Sequence, residues 1–345
     1  MRAVIYDRAL EPEVREVPDP VAGYGELTIE VTQAGFCGTD LHLHHGGFDA
    51  RFPLIPGHEG VGVVKALGDG VTDFRVGQQV VVNPNAYCGQ CAYCRAGDLV
   101  RCANLLAVGV NRDGMFAEQV AVPVNQVFDA DGLDPDVAVL AEPASCAMHG
   151  LERLRPRPGS SALVFGAGPT GSLLAQMMAS GGVAHVSVAD PAQAKLDTVR
   201  GLGIDQTLPI EMITEDNTST IIERLRTASP TGTGYDVVVE ATGSAVVGNL
   251  GIPLLRNGGT LLVYGVASEQ ARLSIAPYEL FRRELTVLGS FAEMTSFAAA
   301  LAALRTGRVR TEGLITHRFG LDQYAQAIDA AQHDRSAHKI VITPR

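Results

Sequence analysis

The stretch Ser161-Ala162-Leu163-Val164-Phe165-Gly166-Ala167-Gly168-Pro169-Thr170-Gly171-Ser172-Leu173-Leu174 decides the fold. A short apolar run ends in glycines, and a helical pattern from Thr170 to Ser180 follows at once. A strand that turns through glycines into a helix is the opening of a βαβ unit. Gly166 can make the turn, Gly168 admits a pyrophosphate close to the backbone, and Gly171 lets helix and strand pack, with Pro169 and Thr170 between them. The start of the helix then offers free N–H groups and a partial positive charge to phosphates. Alone, such a run is as easily an ordinary tight turn. Asp190 argues otherwise: it ends the next apolar stretch, 19 residues after Gly171, near the ~20 expected of a ribose-binding acid. A carboxylate there accepts from both ribose hydroxyls and repels a 2′-phosphate, which favours NAD over NADP. Lys195, five residues on, places an ammonium that opposes the repulsion.

Outward from this turn, strand and helix alternate. Candidate strands are 161–166, 184–189, 206–209, 235–241, 259–265 and 285–290, and candidate helices are 170–180, 193–201, 221–227 and 245–256. That alternation predicts a doubly wound parallel sheet, a Rossmann-type α/β domain. Thr242, Gly265 and Val266, just beyond or at the ends of later strands, complete the candidate cofactor-binding residues. The first 150 residues have another texture. Ala3–Tyr6, Glu13–Val17 and Glu26–Thr32 read as strands punctuated by prolines and glycines, as do Gly60–Val64 and Gln79–Val82, which predicts a mostly antiparallel β domain. After residue 290 come a helix near 292–306, a strand near 315–319, a helix near 321–332 and a last strand at 339–342. Periodicity does not say which domain this tail joins.

A chain of 345 residues exceeds what one hydrophobic core usually holds, which points to two domains. With 46% hydrophobic and 19% charged residues the chain has ample material for packed cores. The net charge of −11, without any run of lysine or arginine, argues against a nucleic acid or an anionic membrane as partner. The start becomes charged too early for a secretory signal, and no run of eighteen apolar residues occurs, so the expected location is the cytoplasm.

Six cysteines are present, and in that setting clusters of them are more often metal sites than disulfides. Cys88, Cys91, Cys94 and Cys102 fall within fifteen residues. Four thiolates suit a closed tetrahedral zinc with no open position, a structural site. A redox cluster is the alternative, and a nucleic-acid-binding zinc module is poorly served by Arg95 and Arg101 alone. In Pro56-Gly57-His58-Glu59-Gly60-Val61-Gly62 two potential ligands lie on a glycine-rich turn, and Cys37 and His58 would supply two of the ligands of a catalytic zinc. A catalytic zinc wants three protein ligands and one open place.

The sequence resembles the zinc-dependent medium-chain dehydrogenases over its whole length. Their zinc signature is met by Gly57-His58-Glu59-x2-Gly62-x5-Gly68-x2-Val71, and the Cys37-Gly38-Thr39-Asp40-Leu41-His42 run, the four-cysteine lobe and the Gly166–Gly171 turn follow in the family's order. Glu142-Pro143-Ala144-Ser145-Cys146 resembles the polyol branch, nearest the sorbitol and D-arabinitol dehydrogenases. The resemblance implies a GroES-like catalytic domain over 1–153 with the structural-zinc lobe at 88–102, a Rossmann NAD-binding domain over 154–290, and a return of 291–345 to the catalytic domain. It makes Cys37, His58 and Glu142 ligands of a catalytic zinc, with water or Glu59 at the fourth position and Cys146 as a rival to Glu142. It gives Thr39, the cofactor ribose and His42 a proton path, with Glu59 beside the metal. The expected reaction moves a hydride from a pentitol or hexitol to NAD. Threonine or a simple alcohol is the alternative substrate, and an inactive NAD-binding homologue the alternative role. His44 and His45 either meet substrate hydroxyls or are only solvated. A homodimer or homotetramer is expected.

Overall fold

The computed structural model describes every residue except Asp49, Asp205, Glu215 and Arg345. Two compact units divide the chain. The first comprises Met1–Ser145, Glu293–Arg305 and Ile315–Arg345, and the second Cys146–Ala292 and Thr306–Leu314. The short segment Thr306–Leu314, expected with the tail, packs with the second unit instead: Gln176 donates to the Arg310 carbonyl at 3.0 Å and accepts from its N–H at 2.8 Å.

In the first unit, strand Glu26–Phe36 is the spine. It pairs antiparallel with Glu59–Leu67, Gln119–Pro123 and Lys339–Thr343. It runs four residues beyond the expected end, because Ala34 and Gly35 pair with both the zinc-signature strand and the C-terminal strand and Phe36 with the latter. The last strand thus returns to the N-terminal sheet. Its register sets Ile340 against Phe36. Beneath the sheet, Phe36, Phe116, Tyr6 and Tyr324 form a buried aromatic cluster, with Phe36 and Phe116 stacked at 5.9 Å.

The second unit is a six-stranded, wholly parallel sheet. In spatial order it runs Gln206–Pro209, His185–Asp190, Ser161–Phe165, Tyr235–Glu240, Leu255–Val263 and Thr286–Gly289. The order reverses between Ser161–Phe165 and Tyr235–Glu240, which opens a crevice at their carboxyl ends. Strands Ser161–Phe165, His185–Asp190 and Tyr235–Glu240 were legible as apolar runs because they are buried inside the sheet, whereas the edge strands Gln206–Pro209 and Thr286–Gly289 are more exposed. Helix Gln193–Gly201 starts and stops where its pattern does, whereas helix Ala245–Leu254 ends two residues short of expectation, with Pro253 in its last turn and Leu255 already extended.

Candidate active site

Strand Glu26–Phe36 delivers Cys37 to the start of helix Gly38–His44, and strand Glu59–Leu67 begins just after His58. Antiparallel pairing of Gly35 with Glu59 then brings the two ends together. Potential ligand atoms of Cys37, His58 and Glu59 all lie within 4.8 Å of one another. His58 and Glu59 are buried, at 5% and 0% exposure. Thr39 and His42 ride on the same short helix as Cys37, both partly buried. Glu142, on the first turn of helix Ala141–Leu154, is buried but outside that group of three, and the rival Cys146 is in neither ligand group among the described residues.

Two residues that the sequence reading missed hold this cluster. Asp40 is buried, accepts the Cys37 backbone N–H at 2.8 Å and sets its other oxygen 3.5 Å from His58 Nδ1. A carboxylate there fixes the ring and leaves Nε2 for a metal. Burial pulls the His58 pKa down, but Asp40 and Cys37 raise it well above the ordinary imidazole range. Asp40 had a faint signal, since an acid three residues after a helix cap can reach back to the cap's N–H. Lys339 had none. It lies 280 residues from Glu59 and is buried, and its Nζ donates to both Glu59 oxygens at 2.8 and 2.6 Å. Burial lowers the lysine pKa, and Glu59, Cys37 and Glu142 outweigh it, so the ammonium stays charged. Gly35 makes room for this pair, since a β-carbon there would sit 2.0 Å from a Glu59 oxygen.

Cys37, Glu59 and Glu142 can all be anionic, and Lys339 offsets only one of them. A buried surplus of negative donors is costly unless a cation joins it. With a thiolate, an imidazole and carboxylates available, the donor set fits zinc.

The four-cysteine lobe is assembled locally. Sγ atoms of Cys88, Cys91, Cys94 and Cys102 lie within 4.8 Å of one another. Backbone N–H groups already point at the sulfurs, Cys88 N to Cys102 at 3.3 Å and Cys94 N to Cys91 at 3.5 Å. The N–H of Gln90 and the side chain of Asn104 draw the Cys88 pKa down to about 6, while burial pushes Cys94 up to about 12. Four converging thiols with hydrogen-bonded sulfurs fit a closed zinc site.

In the second unit the glycine-rich turn lies at the sheet's reversal point. Gly166 has φ +103°, and a β-carbon on Gly171 would come within 2.1 Å of the Gly166 carbonyl. Gly168 faces open space and caps helix Pro169–Ser180 without a side-chain bond, so the helix's first N–H groups remain available to phosphates. Asp190 is buried and accepts from Ala167 N at 2.8 Å and Ala192 N at 2.7 Å. Each oxygen keeps a lone pair for a hydroxyl. Lys195 is half-buried on the next helix. Thr242 bonds Glu240, and Gly265 packs on the Gly243 backbone, with Val266 exposed beside it.

The alcohol dehydrogenase GroES-like domain pattern matches residues 23–132, and the zinc-binding dehydrogenase pattern matches 169–306. D-arabinitol dehydrogenase 1 of Uromyces fabae is 37% identical over 344 residues, covering 100% of this chain and 97% of that one. The chain belongs to the zinc-dependent medium-chain dehydrogenase family. This dehydrogenase is also 35% identical to D-altritol 5-dehydrogenase of Agrobacterium fabrum, over 99% of this chain and 98% of that one. Among solved structures, a zinc-binding dehydrogenase of Sinorhizobium meliloti 1021 bound to NADP superposes with a TM-score of 0.92 at 32% identity, covering 99% of each chain. No helix among the described residues is long and apolar enough to cross a membrane.

Proposed function

We propose that this dehydrogenase oxidises a sugar alcohol, a pentitol or hexitol such as D-arabinitol, to the ketose or aldose, with NAD as hydride acceptor. The observation that carries the reading is the Cys37–His58–Glu59 cluster in a chain more than one-third identical, end to end, to two sugar-alcohol dehydrogenases. Cys37, His58 and Glu142 would hold the catalytic zinc, and Cys88, Cys91, Cys94 and Cys102 the structural one. When bound, the catalytic zinc supplies Lewis acidity that eases loss of the substrate's hydroxyl proton. The Thr39 hydroxyl takes that proton and passes it toward His42, three residues along the same helix. Asp40 orients the His58 ring, and Lys339 holds Glu59 by both oxygens. Asp190, with lone pairs free and a fixed carboxylate, supports NAD over NADP; Lys195 on the following helix is the opposing charge.

This reading assigns 1–153 and 291–345, apart from Thr306–Leu314, to catalysis and 154–290 to the cofactor, in a cytoplasmic protein. A homo-oligomer goes with it. Strand Thr286–Gly289 ends its sheet unpaired on one side, and Tyr278, Phe281 and Phe291 nearby in sequence are 68%, 80% and 54% exposed. Initial rates with NAD and with NADP across pentitols, hexitols, threonine and simple alcohols test the activity. Turnover of a polyol with NAD is expected. Turnover only with NADP would overturn the Asp190 argument, and silence on every polyol would overturn the substrate class.

A further inference from the structure

Three loops of the second unit meet at the carboxyl ends of the parallel strands, where the sheet reverses, and they touch through backbone. A β-carbon on Gly166 would come within 3.1 Å of the Ala241 carbonyl oxygen, one on Gly243 within 2.3 Å of the Val266 carbonyl oxygen, and one on Gly265 within 2.1 Å of the Gly243 nitrogen. The middle loop, 241–244, is therefore wedged between the glycine turn and the Gly265–Val266 segment. Glycines at these contacts offer no side chain that could fix the loop by packing. A single carboxylate fixes it instead. Glu240 ends strand Tyr235–Glu240 and is 2% exposed. One of its oxygens accepts the Thr242 N–H at 2.7 Å, the Thr242 hydroxyl and the Ser244 N–H at 3.3 Å. The Thr242 hydroxyl also accepts the Ser244 N–H at 3.2 Å, and the Ser244 hydroxyl accepts the Val247 N–H at 3.4 Å as cap of helix Ala245–Leu254. Thr242 thus gives the only proton of its hydroxyl to Glu240.

A carboxylate beside the glycine turn opposes an anionic pyrophosphate, and burying it is costly unless strong bonds offset the cost. Here those bonds go to the neighbouring loop: a single oxygen gathers two N–H groups and a hydroxyl from residues 242 to 244. We propose that Glu240 is a positioning residue for the dinucleotide. It holds the 241–244 loop, and through it the Gly166 turn and the Gly265–Val266 segment, in the arrangement that receives the cofactor. Thr242 acts through the same carboxylate, with its hydroxyl committed to Glu240 rather than to the ligand. The inference rests on reading this crevice as a dinucleotide site. Loops already held in the binding arrangement need no ordering when the ligand arrives, so releasing them weakens affinity although no contact to the ligand is removed.

The test is a fluorescence titration of the zinc-loaded enzyme with NADH and with NADPH, on the wild type, Glu240→Leu, Glu240→Gln and Thr242→Val. Glu240→Leu should raise the Kd of the preferred dinucleotide about 10- to 100-fold, since bonds to a charged acceptor are lost. Glu240→Gln, whose amide oxygen still accepts, should recover most of that loss. The KM for the polyol at saturating cofactor and the zinc content should not move. An unchanged Kd in Glu240→Leu, or a polyol KM that rises as much as the Kd, would overturn the inference. Thr242→Val leaves the carboxylate in place and supplies a measurement that does not depend on Glu240→Leu folding. Its Kd should rise, and amide hydrogen exchange across 241–244 in the cofactor-free protein should quicken with it. Weaker binding with unchanged exchange would place the Thr242 hydroxyl on the cofactor itself and overturn the inference alone. A wild type that binds neither NADH nor NADPH would overturn the dinucleotide reading and this inference with it.

Discussion

Two ligand clusters in the first unit are built in opposite ways. The lobe takes all four thiols from Cys88 to Cys102, with two short helical turns, Ala92–Arg95 and Leu99–Arg101, and nearby N–H groups to aim them. The Cys37 cluster draws on residues near 37, 58 and 339, which only the pairing of three strands brings together. A local site needs its metal to hold its loop in shape. A site assembled by a sheet is held by the sheet, and its metal is free to serve chemistry.

Removing a ligand from each cluster should separate these roles. His58→Ala is expected to lower kcat/KM at least ~1,000-fold, the several kcal/mol of transition-state stabilisation a metal supplies. About one zinc per chain should be lost, with little change in melting temperature, because the strands on either side remain paired. Metal analysis and calorimetry on the purified variant check both halves. A large fall in melting temperature would mean that the catalytic metal also holds the sheet. Cys88→Ser should do the reverse. It too should release about one zinc, but the cost should fall on the lobe, several kcal/mol of local stability seen as rapid proteolysis between residues 88 and 102. Unchanged metal content would remove the structural-zinc reading.

How much of each site was legible follows from the same difference. Spacing alone exposes a local cluster, so Cys88, Cys91, Cys94 and Cys102 could be grouped from the sequence by residue chemistry. Gly166, Gly171 and Asp190 were legible for a related reason, since turn, helix start and the next strand end lie within one βαβ unit. His58 and Cys37 could be joined as two candidate zinc ligands by residue chemistry, whereas Glu142 came in as the third only through family likeness. Lys339 was out of reach because a single lysine in a C-terminal strand, Lys339–Thr343, carries no pattern. Its partner Glu59 therefore read as a ligand or as a group beside the metal, while the structure gives it an ammonium partner as well.

The Lys339–Glu59 pair sharpens the comparison, because it tests whether the sheet-built site depends on protein charges as the lobe depends on metal. Lys339→Met leaves the Glu59 carboxylate buried without its partner and should cost about 3–5 kcal/mol. Adding Glu59→Gln should return much of that loss, since a neutral amide does not need the ammonium. Denaturant melts of the two single variants and the double variant measure the coupling. Strict additivity would mean that the pair contributes nothing specific.

The smallest effect expected is on the dependence of stability on pH, and it comes from Glu293. Its carboxyl is buried and ionises near 4.5 when unfolded and at about 8 in the fold, pushed up by burial and then by the Glu142 charge. Between those values the unfolded chain has released this proton and the folded chain has kept it. The unfolded state then binds fewer protons, so this group makes stability fall as pH rises from about 4.5 to about 8, and adds no slope above that. Glu293→Gln deletes the ionisation. The stability of the variant relative to the wild type should therefore grow across that window by about 2–4 kcal/mol, below the full linkage value because the denatured chain and buried water soften it. Urea melts at pH 5, 6.5 and 8 on zinc-loaded protein measure the trend. A constant offset between the two proteins at all three would show that Glu293 ionises as an ordinary carboxylate, and that neighbouring amides or water already satisfy it. The four-cysteine lobe contains no carboxylate among its ligands, so the same substitution should leave its zinc content unchanged over that range.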